Sequence, residues 1–341
     1  MQEIIPLRVR KIYSDGRHNA FTSLTGFKDK LFLTFRSAAT HLSFDGQIRV
    51  LRSSDRGESW ETAALISLEN CDLRDPKLIE FNGVLHLFCF GRYEDGRNAS
   101  WHITSSDGKT FSSPAKIEGI PLIWGLSKFG GKLYCTAYKA VSEMNHVPSL
   151  YSSPDGDHWD LLLKFPTFGS EVAIDFDRDG SLHAFIRDSS FGCGHIPTVC
   201  RLEPPYNAMP ELHWETMDLV RALPLRMSGP MIKRFNGASL LVGRCWDGSS
   251  FHRRNLRTEV YLLEDDDEPR HCFVLPSGGD TSYASYHELR PGRALMSYYS
   301  SHEHKMALPL DQEYDNAAVV ERTAGSDIFL ADISHNFWKN N

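Results

Sequence analysis

The chain has 341 residues, of which 41% are hydrophobic and 24% charged, enough to bury a core and to exclude a small disulfide-held module or a disordered segment. Its 37 basic and 44 acidic residues leave a net charge of −7, which argues against broad binding to nucleic acid or anionic membranes. No apolar run approaches the roughly 18–20 residues of a membrane helix, so membrane insertion is not expected. The opening MQEIIPLRVRKIY lacks the apolar stretch of a secretory leader. The expectation is a cytoplasmic protein, or a periplasmic or secreted one if a leader has been removed. Seven cysteines (Cys71, Cys89, Cys135, Cys193, Cys200, Cys245 and Cys272) with no CxxC pair are expected as packed thiols, not as disulfides or zinc ligands.

In chain order, the first predicted hairpin is AFTSLTGFKDKLFLTFR, starting near Ala20, followed by the turn Ser53–Trp60. DPKLIEFNGVLHLFCFGR starts near Asp75 and is followed by the turn Ser105–Phe111. GLSKFGGKLYCTAYK starts near Gly125 and is followed by the turn Ser153–Trp159. EVAIDFDRDGSLHAFIR, GPMIKRFNGASLLVGR and SYASYHELRPGRALMSYY, starting near Glu171, Gly229 and Ser282, bring the copies to six. Each copy is two apolar, β-branched or aromatic runs across a Gly or Asp turn, the pattern of a β-hairpin.

The three turns all read Ser-x-Asp, then Gly, then an aromatic, and their aspartates Asp55, Asp107 and Asp155 lie 52 and 48 residues apart. A period of about 50 residues suits one four-stranded propeller blade. Ser and Asp cap nearby amides in such a turn and Gly takes a backbone angle others avoid, so its role is structural. No long amphipathic helix is visible. The predicted fold is all-β: one domain over residues 1–341, a six-bladed β-propeller of four-stranded antiparallel blades. The run Asp327–Asp332 is expected to complete the last blade, and the N-terminal segment to close the ring.

In a propeller the first strand of each blade starts, and the second ends, on the same face, beside the axis, where ligand sites sit. First-strand starts place His18, Asn19, Arg74, Asp75, Lys77, Trp124, Glu171, Arg226, Asp280 and Tyr283 on that face. Second-strand ends add Arg36, His41, Asp45, Arg92, Tyr93, Tyr138, Lys139, Arg187, Asp188, Arg244, Tyr298, Tyr299, His302 and Glu303. Four second strands close on arginine, and converging guanidiniums grip a carboxylate, sulfate or phosphate bidentately. Arg187 and Arg244 are expected to share one pocket with Arg36, Arg74 or Arg92. The Asp-containing turns are expected on the opposite face.

These residues resemble the sialidase superfamily over nearly the whole chain, with the Asp-containing turns similar to its Asp boxes (BNR repeats). The resemblance implies a glycosidase acting on an acidic sugar at the end of an oligosaccharide or glycoconjugate. It implies that Tyr283, in DTSYASYHEL, is the nucleophile, activated by Glu171. It further implies that Arg187 grips the sugar and that Asp75, in LRDPKL, touches substrate. The first blade departs from the family's Phe-Arg-Ile-Pro motif: Asn19-Ala20-Phe21-Thr22 has no arginine, and Arg36 is the nearest substitute. The loop SAATHLSFDG offers His41 or Asp45 as the acid. Arg36, Arg74, Asp75, Arg92, Arg187, Arg244, Trp124 and Tyr298 are the expected substrate contacts.

The chemistry suits the pattern. A neutral phenol attacks the cationic centre beside a sugar carboxylate without the repulsion a carboxylate nucleophile meets, and a Glu removes its proton. Two other readings use the same rim. A His with a Tyr abstracts the proton beside a uronate carboxylate in a polysaccharide lyase. Alternatively, aromatics such as Trp124, Tyr93, Tyr138, Tyr298 and Tyr299 stack on sugars in a non-catalytic glycan-binding propeller. Ser301-His302-Glu303-His304 is weak spacing for a metal, and no metal or cofactor is expected.

Overall fold

Each predicted hairpin becomes the two inner strands of a four-stranded antiparallel sheet, and six such sheets form the six-bladed propeller. The computed structural model describes residues 3–140, 146–165, 167–188, 197–207, 220–222, 225–235, 237–246, 256–264, 268–304 and 325–337, with no helix among them. Blade 1 comprises β2 (His18–Phe27), β3 (Lys30–Ala38), β4 (Gln47–Ser53) and β5 (Glu61–Ile66). Blade 2 comprises β6 (Cys71–Phe81), β7 (Val84–Tyr93), β8 (Asn98–Ser105) and β9 (Ala115–Ile117). Blade 3 comprises β10 (Leu122–Phe129), β11 (Lys132–Ala140), β12 (His146–Ser153) and β13 (Asp160–Lys164). Blade 4 comprises β14 (Gly169–Phe176), β15 (Leu182–Asp188), β16 (Pro197–Leu202) and β17 (Val220–Ala222). Blade 5 comprises β18 (Met227–Phe235), β19 (Ala238–Cys245), β20 (Arg257–Glu264) and β21 (Arg270–Val274). Blade 6 takes β22 (Thr281–Arg290), β23 (Arg293–Ser300) and β24 (Asp327–His335) from the C-terminal end and β1 (Ile4–Tyr13) from the N-terminal end.

The ring is therefore closed by hydrogen bonds between the two ends of the chain, with Ile4 opposite His335 and Tyr13 opposite Ile328. The three Asp-containing turns join third and fourth strands, on the face away from the starts of the inner strands. In each, the aspartate accepts from main-chain amides, as in Ser59 N to Asp55 at 2.9 Å and Thr110 N to Asp107 at 2.8 Å. Trp60 and Trp159 fold under, their indole N–H donating to the carbonyls of Gly57 and Gly156 at 3.1 and 2.9 Å. Cys71, Cys89, Cys135, Cys200 and Cys245 are buried free thiols and Cys272 is half-buried; Cys193 lies outside the described residues.

Apolar side chains fill two kinds of space. One cluster, including Leu33, Phe35, Phe185 and Leu241, runs around the inner strands, and others lie between adjacent blades. Burying each such side chain contributes roughly 1.5–3 kcal/mol.

One irregularity recurs in the innermost strand of every blade and positions the site. The register to the second strand shifts between Ala20 and Ser23, Arg74 and Lys77, Ile123 and Leu126, Ser170 and Val172, Ser228 and Met231, and Ser282 and Ser285. At five of these bulges the backbone turns left-handed: Phe21 (φ 63°), Asp75 (46°), Glu171 (54°), Gly229 (56°) and Tyr283 (50°). For the four that are not glycine this costs about 1–3 kcal/mol each. A bulge re-aims a side chain that the strand's alternation would send elsewhere.

Candidate active site

The bulges of β14 and β22 bring Glu171 and Tyr283 together. The Tyr283 hydroxyl donates to Glu171 Oε1 at 2.6 Å, the Gly229 amide donates to Oε2 at 2.9 Å, and Arg187 Nη1 lies 2.5 Å from Oε1. Burial alone would raise the Glu171 carboxyl, but Arg187 and these two donors outweigh it and hold it down at about 2. Tyr283 moves the other way: burial and the Glu171 and Asp75 charges push its hydroxyl well above the ordinary value, against Arg244 and Arg187. The pair is thus a neutral phenol donating to a carboxylate, with the proton resident on Tyr283 and pointed at Glu171.

Aromatic groups hold the Tyr283 ring. Phe21 lies 4.7 Å away, Tyr299 6.0 Å and Trp124 6.1 Å between ring centroids, and the Arg244 guanidinium stands 5.6 Å above. Gly229 leaves just enough room, because a Cβ there would come 2.7 Å from the Tyr283 ring.

Beside this pair Asp280 is a hub. Its Oδ1 accepts from Arg244 Nη2 at 2.9 Å and from the Tyr299 hydroxyl at 2.8 Å. Its Oδ2 accepts from His18 Nε2 at 2.8 Å and from His41 Nδ1 at 2.5 Å. Burial opposes its ionisation, but His41, Arg244 and His18 hold it well below the usual carboxylate range. An ionised carboxylate only accepts, so each imidazole donates its proton to it. His41, lowered by burial to about 3 against the pull of Asp280, stays neutral. His18 is likewise lowered by burial, and its Nδ1 is left to accept from Arg36 Nη1 at 3.4 Å. The ligand-type atoms of His18, His41 and Asp280 lie within 4.8 Å of one another, the one such grouping among the described residues. The protons between them and the flanking guanidiniums of Arg36 and Arg244 make the trio a hydrogen-bond hub, poorly suited to a further cation.

The arginines divide into two sets. Arg74, Arg187 and Arg244 each act on Tyr283 through their charge. Arg36 is fully buried and donates to Asp72 at 2.6 Å and to the carbonyls of Thr40 and Ser43 at 3.0 Å. It pins the loop after β3, as does Arg92, which donates to the Leu42 carbonyl at 3.3 Å and covers the Phe44 ring. Arg74 joins both sets: Nη1 donates to the His41 carbonyl at 2.8 Å and to Asp72 at 3.0 Å, while the guanidinium lies 5.0 Å over Phe21.

Four residues singled out in the sequence stand apart. Tyr298 is fully buried between strands, stacked on Phe329 at 5.4 Å with its hydroxyl donating to the Pro276 carbonyl at 2.8 Å. Its neighbour Tyr299 faces the site instead, because successive strand residues point to opposite faces. Asp45 is half exposed, paired to Arg17 at 2.6 Å and capping the Ala39 amide at 3.0 Å, and lies low at about 2, its burial outweighed by these donors and Ser43. His302 donates or accepts at Ser300, and His304 Nε2 lies 3.0 Å from Asp327 Oδ1, partners outside the Tyr283–Glu171 pair. Trp124 is on the site floor, with Lys77 Nζ 4.3 Å over its ring and its own Nε1 buried without a hydrogen-bond partner. Sequence reasoning missed Asp72, the Gly229 amide and the hub role of Asp280; the alternation Asp72–Arg74 at the start of β6 was a usable signal for the first.

No family model matches the chain, and neither does any curated protein. Among solved structures it is similar to a protein of unknown function from Dyadobacter fermentans, with a TM-score of 0.75 and 16% identity over 98% of this chain and 99% of that one. It is similar to the Trypanosoma rangeli sialidase, with a TM-score of 0.65 and 12% identity over 96% of this chain and 57% of that one. It is also similar to a Penicillium chrysogenum α-L-arabinanase complexed with arabinobiose, with a TM-score of 0.66 and 13% identity over 96% of this chain and 98% of that one. At these identities the likeness is one of fold.

Proposed function

We infer that the protein is a glycoside hydrolase that cleaves the terminal glycoside of an acidic sugar by double displacement. The observation that carries this reading is the 2.6 Å hydrogen bond from Tyr283 to Glu171, backed by Arg187 and the Gly229 amide. In the first step the Tyr283 oxygen bonds to the anomeric carbon as the glycosidic C–O bond breaks, and the phenolic proton passes to Glu171. Water then attacks the anomeric carbon and restores Tyr283.

Charge supports an acidic sugar. Arg36, Arg74, Arg187, Arg244 and Lys77 gather here against Asp72, Asp75, Glu171 and Asp280, while His18 and His41 stay neutral. Five cations against these carboxylates leave one positive charge with Asp75 ionised and two with it protonated, so the balance left for the ligand to match is positive in either state. The sialidase and arabinanase neighbours support a carbohydrate substrate at the level of the fold. A panel of nonulosonic, uronic and arabinosyl glycosides, read for released sugar, tests the reading; a protein that binds them and releases nothing would be a glycan-binding propeller.

A second reading rests on His41. With Nδ1 donating to Asp280, its Nε2 is the unprotonated nitrogen that would take the proton beside a uronate carboxylate, but burial that holds His41 at about 3 makes it a weak base for that step. That elimination makes an unsaturated product, visible as ultraviolet absorbance in the same panel.

A further inference from the structure

We propose that Asp75 is the acid–base partner of Tyr283: it protonates the departing glycosidic oxygen, then takes a proton from the incoming water. This rests on the glycosidase reading above and deepens it. The sequence offered His41 and Asp45 for the task, and the structure disfavours both. The one proton of His41 is held by Asp280, leaving a lone pair where an acid needs a proton. Asp45 is half exposed and ion-paired outside the site.

Asp75 has the properties both lack. Its bulge in β6, with φ at 46°, is the counterpart of the bulge that presents Tyr283 in β22. Phe21, at the corresponding bulge of the blade between them, touches the Tyr283 ring at 4.7 Å. The Asp75 side chain is 6% exposed, and its Oδ1 has no hydrogen-bond partner. Its neighbour Arg74 pairs with Asp72 instead, and no ion pair to Asp75 occurs among the described residues. A buried carboxyl oxygen with nothing to bond is costly unless a ligand atom completes it. The groups that face it are Arg74 and Lys77 from its own strand, Arg36 from β3, Cys89 from β7, Tyr138 from β11, Glu171 from β14 and Tyr283 from β22. Burial, joined by the Glu171 charge and opposed by the three cations, pushes Asp75 up to about 6, so it carries a proton in mildly acidic solution.

The step balances. As Tyr283 Oη bonds to the anomeric carbon and its proton goes to Glu171, the glycosidic C–O bond breaks and its oxygen takes the Asp75 proton. In the second step the Asp75 carboxylate takes a proton from water. The water oxygen bonds to the anomeric carbon, the carbon–Tyr283 bond breaks, and Glu171 returns the proton to the phenol oxygen.

The test compares wild type and Asp75→Asn on two glycosides of one sugar, with an alkyl aglycone and with a nitrophenyl aglycone that leaves without a proton. We expect Asp75→Asn to lose about 100-fold or more in kcat/KM on the alkyl glycoside and under about 10-fold on the nitrophenyl one. Wild type alone gives a second readout should the variant fail to fold. Its alkyl kcat/KM should fall on an alkaline limb near pH 6, a limb absent with the nitrophenyl glycoside. Equal losses on both substrates, or no limb on the alkyl glycoside, would overturn the assignment and leave the Tyr283–Glu171 reading standing. A wild type that cleaves neither glycoside of any sugar in the panel would overturn both.

Discussion

The Phe21 ring sits 4.7 Å from the Tyr283 ring, tilted by 60°, across the seam where the first and last blades meet. The Arg74 guanidinium lies over the same ring, 5.0 Å from its centroid. One side chain therefore locates the Tyr283 ring and a guanidinium that belong to different blades. Phe21→Ala should destabilise the protein by about 3–5 kcal/mol in urea unfolding. It should lower turnover beyond what the loss of folded protein explains.

Tyr283→Phe keeps this packing and removes the oxygen. Glu171 retains Arg187 and the Gly229 amide, so the loss in stability should stay within about 1.5–3 kcal/mol. Turnover on glycosides should fall by about 1,000-fold or more. A loss of a few-fold, measured on folded protein, would remove Tyr283 from the chemistry and favour the His41 route.

Gly229→Ala tests the fit from below. Its Cβ would meet the Tyr283 ring at 2.7 Å, and its φ of 56° already disfavours a side chain. Either Tyr283 shifts off Glu171 or the bulge unwinds. The expected result is a clear drop in melting temperature with activity loss as severe as that of Tyr283→Phe.

Asp280→Asn swaps one accepting oxygen for a donor in a group that accepts from His18, His41, Arg244 and Tyr299. At least one donor then faces an N–H group, and Arg244 loses its buried counter-charge. About 3–5 kcal/mol of stability should be lost, measured by denaturant unfolding.

Acid should weaken the contact between blades 2 and 3. His86 Nδ1 meets His102 Nε2 at 2.9 Å, and His102 Nδ1 meets Asp157 at 2.7 Å, stacked on Phe88. Burial and the neighbouring His102 lower His86 to about 4, below its ordinary 6.5, and burial lowers His102 as well. The unfolded chain therefore binds more protons between those values, and the stability this arrangement gives above pH 6.5 is lost as pH falls towards 4. Urea midpoints at pH 7 and 4.5 should differ more for wild type than for His86→Gln.

The fold was legible because each inner hairpin repeats the same apolar pattern across a Gly or Asp turn, and the six copies match the inner strand pairs of the six blades. The order Asp75, Glu171, Arg187, Arg244 and Tyr283 was also readable, since each sits where an inner strand begins or the next one ends. Direction was harder. Counting alternate residues along β23 from either end does not say whether Tyr298 or Tyr299 faces the axis, and the bulge in each blade's innermost strand shifts its pairing with the second strand by one. The partners of Arg36 and Asp45 were invisible for another reason: the loop after β3 folds back on Asp72 and Arg17, contacts with no local pattern. Gly46 shows how close that return is, since a Cβ there would collide with the Asp72 carboxylate and the Arg36 side chain.

Because β1 pairs with β24, the first strand of the propeller to be made has its partner made last, some 330 positions later. At about 5–20 residues per second a nascent chain waits roughly 20–70 s with that edge open. Its outer side carries Ile5 and Leu7, both about half exposed even after closure. During that wait the strand is a template for any other unpaired edge, including that of a second nascent copy. Moving the chain ends to the turn between β4 and β5, with the present ends joined, would let blade 6 form from contiguous sequence and shift the same wait onto blade 1.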